Sequence, residues 1–242
     1  MRYDVVLIDI DDTLFDFRQS SFEALERAFA RRDVSFTWED MPAYEVYNDR
    51  LWRAFERGEI PKPLIFTERF RLYFAERGLD IDPEAFNHDY LLYLAEGYAF
   101  MPHCRELLEA LHGKCRVYVV TNGDTFAQES RIARSGLAHL FDGVFISEQL
   151  GTKKPEKDFY DKVFAEIGEA YRTQSIMIGD SFSSDMQGGR AILVGDSLSS
   201  DMQGGRNAGI ATCYYGKAEN ADDRCDYVIG DLLELLPIVE NG

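Results

Sequence analysis

The chain has 242 residues, enough for one large domain or a domain carrying an insert, and with 45% hydrophobic and 13% aromatic residues it can bury a substantial core, which excludes a disordered protein. Its net charge of −17 excludes a protein that binds a nucleic-acid polymer through a basic stripe, but not one that takes small phosphorylated molecules whose charge a metal and one lysine can meet. The four cysteines, Cys104, Cys115, Cys213 and Cys225, form no C-x-x-C pair and no zinc-spaced cluster with histidine, so they read as reduced thiols. Neither a signal peptide nor an apolar run long enough to span a membrane is visible, and the expected location is cytoplasmic.

The first element is the uninterrupted apolar run Val5-Val6-Leu7-Ile8, which predicts a strand buried on both faces, as in a parallel sheet. It runs into Asp9-Ile10-Asp11-Asp12-Thr13. The period-2 geometry of extended chain points the Asp9 and Asp11 carboxyl groups the same way, where ionised together they need a cation, a shared proton or strong hydrogen bonds. Taken alone, the same residues also read as a capping turn opening the next helix.

From Phe15 to about Leu111 the pattern is helical. Four apolar faces recur at helical spacing: Phe22, Leu25, Ala28 and Phe29; Tyr44, Tyr47, Leu51, Trp52 and Phe55; Phe66, Phe70, Tyr73 and Phe74; Tyr90, Leu91, Leu94 and Tyr98. Gly58, Pro61 and Pro63 separate the second from the third, and Gly78 with Pro83 the third from the fourth. So long a helical stretch between two strands exceeds a simple crossover and implies an inserted all-helical domain over residues 16–100, with the core formed by 1–15 and 101–242.

After Gly113 strands and helices alternate. Arg116-Val117-Tyr118-Val119-Val120 leads into Thr121-Asn122-Gly123, and a helix from Thr125 to Ser135 stops at Gly136. Gly143 to Ser147 is a strand, Pro155 opens a helix containing Phe159, Val163 and Phe164, and Ser175 to Ile178 is a strand ending in Gly179-Asp180. Such βαβ units specify a parallel α/β sheet whose site lies beyond the carboxyl ends of the strands. Asp9, Asp11, Thr121, Asn122, Lys154, Asp180 and Asp185 all fall there, and together they supply a nucleophilic carboxylate, an acid/base, a hydroxyl, a cation and a further metal-binding carboxylate, the parts that phosphoryl transfer needs.

With these motifs in order, DIDDTL at 9 to 14, VVTNG at 119 to 123, KP at 154 to 155 and GDSFSSD at 179 to 185, the sequence resembles the haloacid dehalogenase-like hydrolase superfamily. The resemblance implies a Rossmann-like core with an inserted cap. It further implies that Asp9 attacks phosphorus, that Asp11 protonates the leaving alcohol and then activates water, and that Thr121, Asn122 and neighbouring backbone N–H groups bind the phosphoryl group with Lys154. The implied Mg²⁺ ligands are Asp9, the Asp11 carbonyl and Asp180. The presence of Asp11 implies a phosphatase rather than a dehalogenase. Asn48 to Ile60 (NDRLWRAFERGEI), with Thr67 to Phe70 (TERF), resembles the subfamily of pyrimidine 5′-nucleotidases acting on noncanonical nucleotides. The implied activity is a Mg²⁺-dependent nucleoside 5′-monophosphatase, a monomer or weak homodimer whose partner is a small phosphorylated metabolite. The alternatives are a sugar phosphomutase with the same apparatus, or a member impaired by the feature described next.

The segment Gly179 to Arg190 recurs, with Leu198 for Phe182, as Gly195 to Arg206, a tandem duplication of one strand end, loop and helix start. The first copy, with Asp180 and Asp185, stands at a family-like distance from Lys154, and the second, with Asp196 and Asp201, has the family-like continuation Asn207-Ala208-Gly209-Ile210. The first copy is expected to hold the metal, and deletion of 191–206 to leave a folded, active and more stable enzyme.

Overall fold

The computed structural model describes residues 2–180 and 200–241. In the α/β unit, β1 (Val5–Ile8) is the strand predicted from the first apolar run, and each of its four side chains is completely buried. Four helices follow it in the chain: α1 (Phe17–Ala30), α2 (Met41–Glu56), α3 (Lys62–Arg77) and α4 (Pro83–Leu94). Next come α5 (Cys104–Leu111), β2 (Arg116–Thr121), α6 (Thr125–Ser135), β3 (Gly143–Ile146), the single turn α7 (Ser147–Leu150), α8 (Lys157–Ile167) and β4 (Ser175–Gly179). The chain ends with α9 (Ser200–Ala208), β5 (Ala211–Tyr215), β6 (Tyr227–Ile229) and α10 (Leu235–Asn241). Among the described residues no helix is long and apolar enough to cross a membrane.

Among the described residues six strands lie in the order β3-β2-β1-β4-β5-β6, and every neighbouring pair is parallel, the Rossmann-like arrangement anticipated from the alternation of elements. β1 is therefore central. Its residues pair with Arg116 to Val119 on one side and with Ser175 to Ile178 on the other, so Asp9 leaves β1 level with Gly179 and Asp180 follows one residue further on the adjacent strand. One sheet face packs Val5, Leu7, Val120 and Met177 against Phe159, Val163 and Phe164 of α8.

The described residues divide into two units, one of Met1–Asp16, Phe100–Thr125 and Ser135–Gly242, the other of Phe17–Ala99 and Phe126–Arg134. The second is helical and held by aromatic packing. Phe29 stacks on Phe36 at 4.9 Å between ring centroids, and Phe86 lies 4.6 Å from Phe29 and 4.8 Å from Phe70. Such pairs add about 0.5–1.5 kcal/mol each beyond the area they bury. The helix punctuation has physical causes: Gly78 ends α3 at φ 65°, a left-handed conformation that glycine takes without a Cβ clash, and Asp82 caps α4 by accepting from the Glu84 N–H at 3.0 Å. Two expectations are corrected here. Pro63 sits in the first turn of α3, where its missing N–H has no helical partner to lose, rather than before it. Tyr98 lies beyond the end of α4 at Leu94, so it leaves the apolar face and is 40% exposed.

Candidate active site

The carboxyl ends of β1, β2 and β4 and the loop after α7 converge on one buried cation. Lys154, 2% exposed, donates from Nζ to Asp9 Oδ1 at 2.7 Å and to Asp201 Oδ1 at 2.5 Å. Its neighbour Lys153, the other lysine of the pair, instead faces Glu156 at 3.6 Å. Asn122 fixes the Lys154 backbone from both sides: its Nδ2 donates to the Lys154 carbonyl and its Oδ1 accepts from the Lys154 N–H, each at 3.0 Å. The Asn122 side chain is thus a brace for the lysine loop. Thr121 is buried, and its Oγ1 accepts from the Gly123 N–H at 3.0 Å, which curls the backbone after β2 around the strand end.

The turn that follows β1 is tight. Phe15 N–H donates to the Ile10 carbonyl at 2.8 Å and Asp12 N–H to the Phe15 carbonyl at 2.7 Å, with Asp12 at φ 56°, a left-handed position that aspartate tolerates better than most residues. This brings the fully buried Thr13 back to the end of β4, where its Oγ1 accepts from the Asp180 N–H at 3.0 Å and donates to Asp180 Oδ1 at 3.2 Å. Thr13 is therefore a clasp between the two motifs. Asp11 stands half-buried in the same turn, bridged to Phe15.

Asp9, Asp180 and Asp201 bring carboxylate oxygens within 4.8 Å of one another. The first copy of the repeat, with Asp180 and Asp185, is expected from the sequence to hold the metal. Asp180 comes from the strand of the first copy, whereas Asp201 comes from the helix of the second; Asp185 lies outside the described residues. β4 is already paired between β1 and β5, so the first strand serves, and α9 must be followed by a reversal into β5. That reversal uses Gly209 at φ 70°, for which the first copy, continuing Arg190-Ala191-Ile192, has no glycine. Asp201 and Thr13 are the residues that sequence reasoning placed elsewhere or passed over. A hydroxyl residue directly after the carboxylates of the first motif was the available sign for Thr13.

Burial pushes the Asp9 carboxyl up to about 8, with the charges of Asp201 and Asp11 adding to the rise and Lys154 opposing it. Asp180 is also held well above the usual carboxylate range by burial, then by Asp12, Asp9 and Asp201, with Thr13 opposing. Burial works against the Lys154 charge, but Asp201 and Asp9 outweigh it and keep the ammonium protonated. With all three carboxylates ionised, one ammonium would leave two negative charges uncompensated, which is the repulsion that, after burial, raises Asp9 and Asp180. In addition, Asp201 Oδ2 is buried without a hydrogen-bond partner among the described residues. A Cβ on Gly179 would stand 2.2 Å from that oxygen, so only glycine lets the carboxylate approach the strand end. The residues present therefore fit a hard divalent cation, which prefers oxygen ligands and supplies the missing charge.

The description haloacid dehalogenase-like hydrolase matches residues 3–192, and the description HAD-hydrolase-like matches 189–235. The two matches meet inside the repeat, so that each takes one copy. The chain is 34% identical to the pyrimidine 5′-nucleotidase YjjG of Escherichia coli over 88% of this chain and 86% of that one. It is equally 34% identical to the pyrimidine 5′-nucleotidase PynA of Streptococcus pneumoniae, over 89% and 84%. The crystal structure of the HAD-hydrolase YfnB from Bacillus subtilis, bound to magnesium and described as revealing interdomain movement, superposes with a TM-score of 0.86 at 30% identity over 99% of both chains.

Proposed function

The chain belongs to the haloacid dehalogenase-like hydrolase family, and from that premise we propose that it is a Mg²⁺-dependent nucleoside 5′-monophosphatase working through a phosphoaspartate on Asp9. It is a hydrolase of phosphoric monoesters; the nucleotide substrate is supported by the two 5′-nucleotidase relatives. The observation that carries the mechanism is the Lys154 ammonium clasped between Asp9 and Asp201 beside Asp180.

In the first step the Asp9 carboxylate forms a bond to phosphorus as the bond to the 5′ oxygen breaks, and Asp11 gives that oxygen its proton. In the second, Asp11 takes a proton from water, the water oxygen bonds to phosphorus, and the Asp9–phosphorus bond breaks to release phosphate. Thr121 and the backbone N–H groups after it hold the phosphoryl oxygens. Lys154 neutralises charge there while keeping Asp9 in line. Asp9, Asp180 and the Asp11 carbonyl would hold Mg²⁺, with Asp201 alongside, and the ion would supply charge neutralisation at the phosphoryl group. The approach of Asp180 and Asp201 to Asp9 supports an active member over one impaired by its repeat.

The test is phosphate release from a panel of nucleoside monophosphates and sugar phosphates, in chelator and in Mg²⁺, with Asp9→Asn beside the parent. Expected are release from pyrimidine monophosphates only with Mg²⁺ and none from Asp9→Asn, whose amide is a far poorer nucleophile. Turnover by a contaminant-free Asp9→Asn protein refutes the covalent step, and full turnover in chelator refutes the metal.

A further inference from the structure

Tyr160 lies on α8 and is completely buried, yet its hydroxyl has no hydrogen-bond partner among the described residues. The phenol ends against α9. A Cβ added to Gly204 would stand 2.4 Å from Tyr160 Oη, 2.7 Å from Cε2 and 2.8 Å from Cζ, so the ring is seated directly on helix backbone. On its next residue the same helix abuts β5: a Cβ on Gly205 would meet Thr212 Cγ2 at 2.5 Å. The two glycines leave α9 flush between a ring and a strand, and its depth is set by what stands on either side.

Gly204 follows Asp201 by three residues, so both belong to one face of one turn. Asp201 is one of the two carboxylates holding Lys154; the other, Asp9, is fixed by a strand paired on both sides. Only the Asp201 end of the clasp depends on how a helix is seated.

We propose that Tyr160 is a positioning residue for the Lys154–Asp201 pair: its ring sets the depth of the first turn of α9 and thereby the place from which Asp201 holds the lysine. This rests on the reading of Lys154 as the cation of the phosphoryl site. The sequence gives no hint of it, because an aromatic residue at helical spacing beside Phe159, Val163 and Phe164 reads as ordinary core.

Tyr160→Leu removes the three ring atoms that face Gly204, and Gly204→Ala drives a methyl into them. Each is expected to lower kcat by about 10²-fold, the effect of a displacement near 1 Å at a catalytic group, with KM little changed. The double variant should recover kcat by about tenfold over the singles, a coupling of the size that contacting residues show. A purely structural role would lower Tm and leave the kcat of the folded enzyme alone. Crystal structures of the parent and Gly204→Ala give a readout independent of activity: the 2.5 Å contact from Lys154 Nζ to Asp201 Oδ1 should be broken in the variant. Parental kcat in Gly204→Ala, no recovery in the double variant, or an intact Lys154–Asp201 contact overturns the proposal. Should Tyr160→Leu not fold, Gly204→Ala decides by both measurements. Lys154→Met run in parallel separates the two readings, since full activity there refutes the role of Lys154 while the crystal structures still judge Tyr160.

Discussion

Thr13 is the smallest part of the site and holds two motifs together. Its hydroxyl accepts from the Asp180 backbone N–H and donates to the Asp180 carboxylate, so one oxygen orients a side chain proposed to hold the metal. Thr13→Val keeps the shape and removes both bonds. The orphaned Asp180 N–H costs about 1–3 kcal/mol of stability. The larger effect is on the ion: loss of a group that orients a ligand is expected to weaken Mg²⁺ binding about 10–100-fold, read from the Mg²⁺ dependence of phosphate release. Thr13→Ser, which keeps the hydroxyl, should stay close to the parent. Equal Mg²⁺ dependence in Thr13→Val and parent would remove Thr13 from the metal site.

The element scale shows why some features were legible in the sequence and others were not. Strands β1 to β4 carry apolar runs bounded by turn residues, and a central parallel sheet leaves few alternatives for where their polar ends lie, so Asp9, Thr121, Lys154 and Asp180 group together from the sequence. The splice between β4 and α9 could not be read, because residues 179–190 and 195–206 are chemically equivalent and the decision depends on strand pairing and on Gly209. The narrow resemblance to 5′-nucleotidases has a related explanation. Within it, Leu51, Phe55 and Phe70 are buried in helical cores, while Arg69 links three helices, donating to Asn48 on α2 at 3.1 Å and to Asn87 on α4 at 3.0 Å. At those positions the match reports how the helices pack, and the substrate must be argued from the relatives and tested by assay. The splice makes its own prediction. Removing 181–196 joins Asp180 to Ser197 and retains every described side chain, and the product differs from a 191–206 deletion only by Leu for Phe. Both should fold, turn over substrate and melt no lower than the parent. Asp180→Asn in the full chain should lose most activity and Asp196→Asn very little. Two equally damaged point variants, or deletions that fail to fold, would show the wrong carboxylate to be in the site.

At the scale of the whole molecule, a chain of net charge −17 gathers three of its carboxylates, Asp9 and Asp201 buried and Asp180 half-buried, beside one lysine, and this links the stability of the fold to both pH and metal. The sign follows from Asp9. Its carboxyl has an ordinary value of 3.8 and is pushed up to about 8 by burial first and by Asp201 and Asp11 next, so between these values the folded protein holds a proton that the unfolded chain has released. Stability from this group is therefore full below 3.8 and is lost as pH rises through about 8, and Asp180, shifted in the same direction, adds to the trend. Mg²⁺ needs the ionised carboxylates, so its binding grows tighter as pH rises and offsets the loss. Thermal unfolding followed across this window should show Tm in chelator falling toward the alkaline end, the Mg²⁺-induced rise in Tm growing in the same direction, and both slopes flattening in Asp9→Asn. A chelator curve that climbs through the window, or an Asp9→Asn curve parallel to the parent, would mean that Asp9 is ionised in the metal-free fold and that Lys154 alone suffices to hold it so.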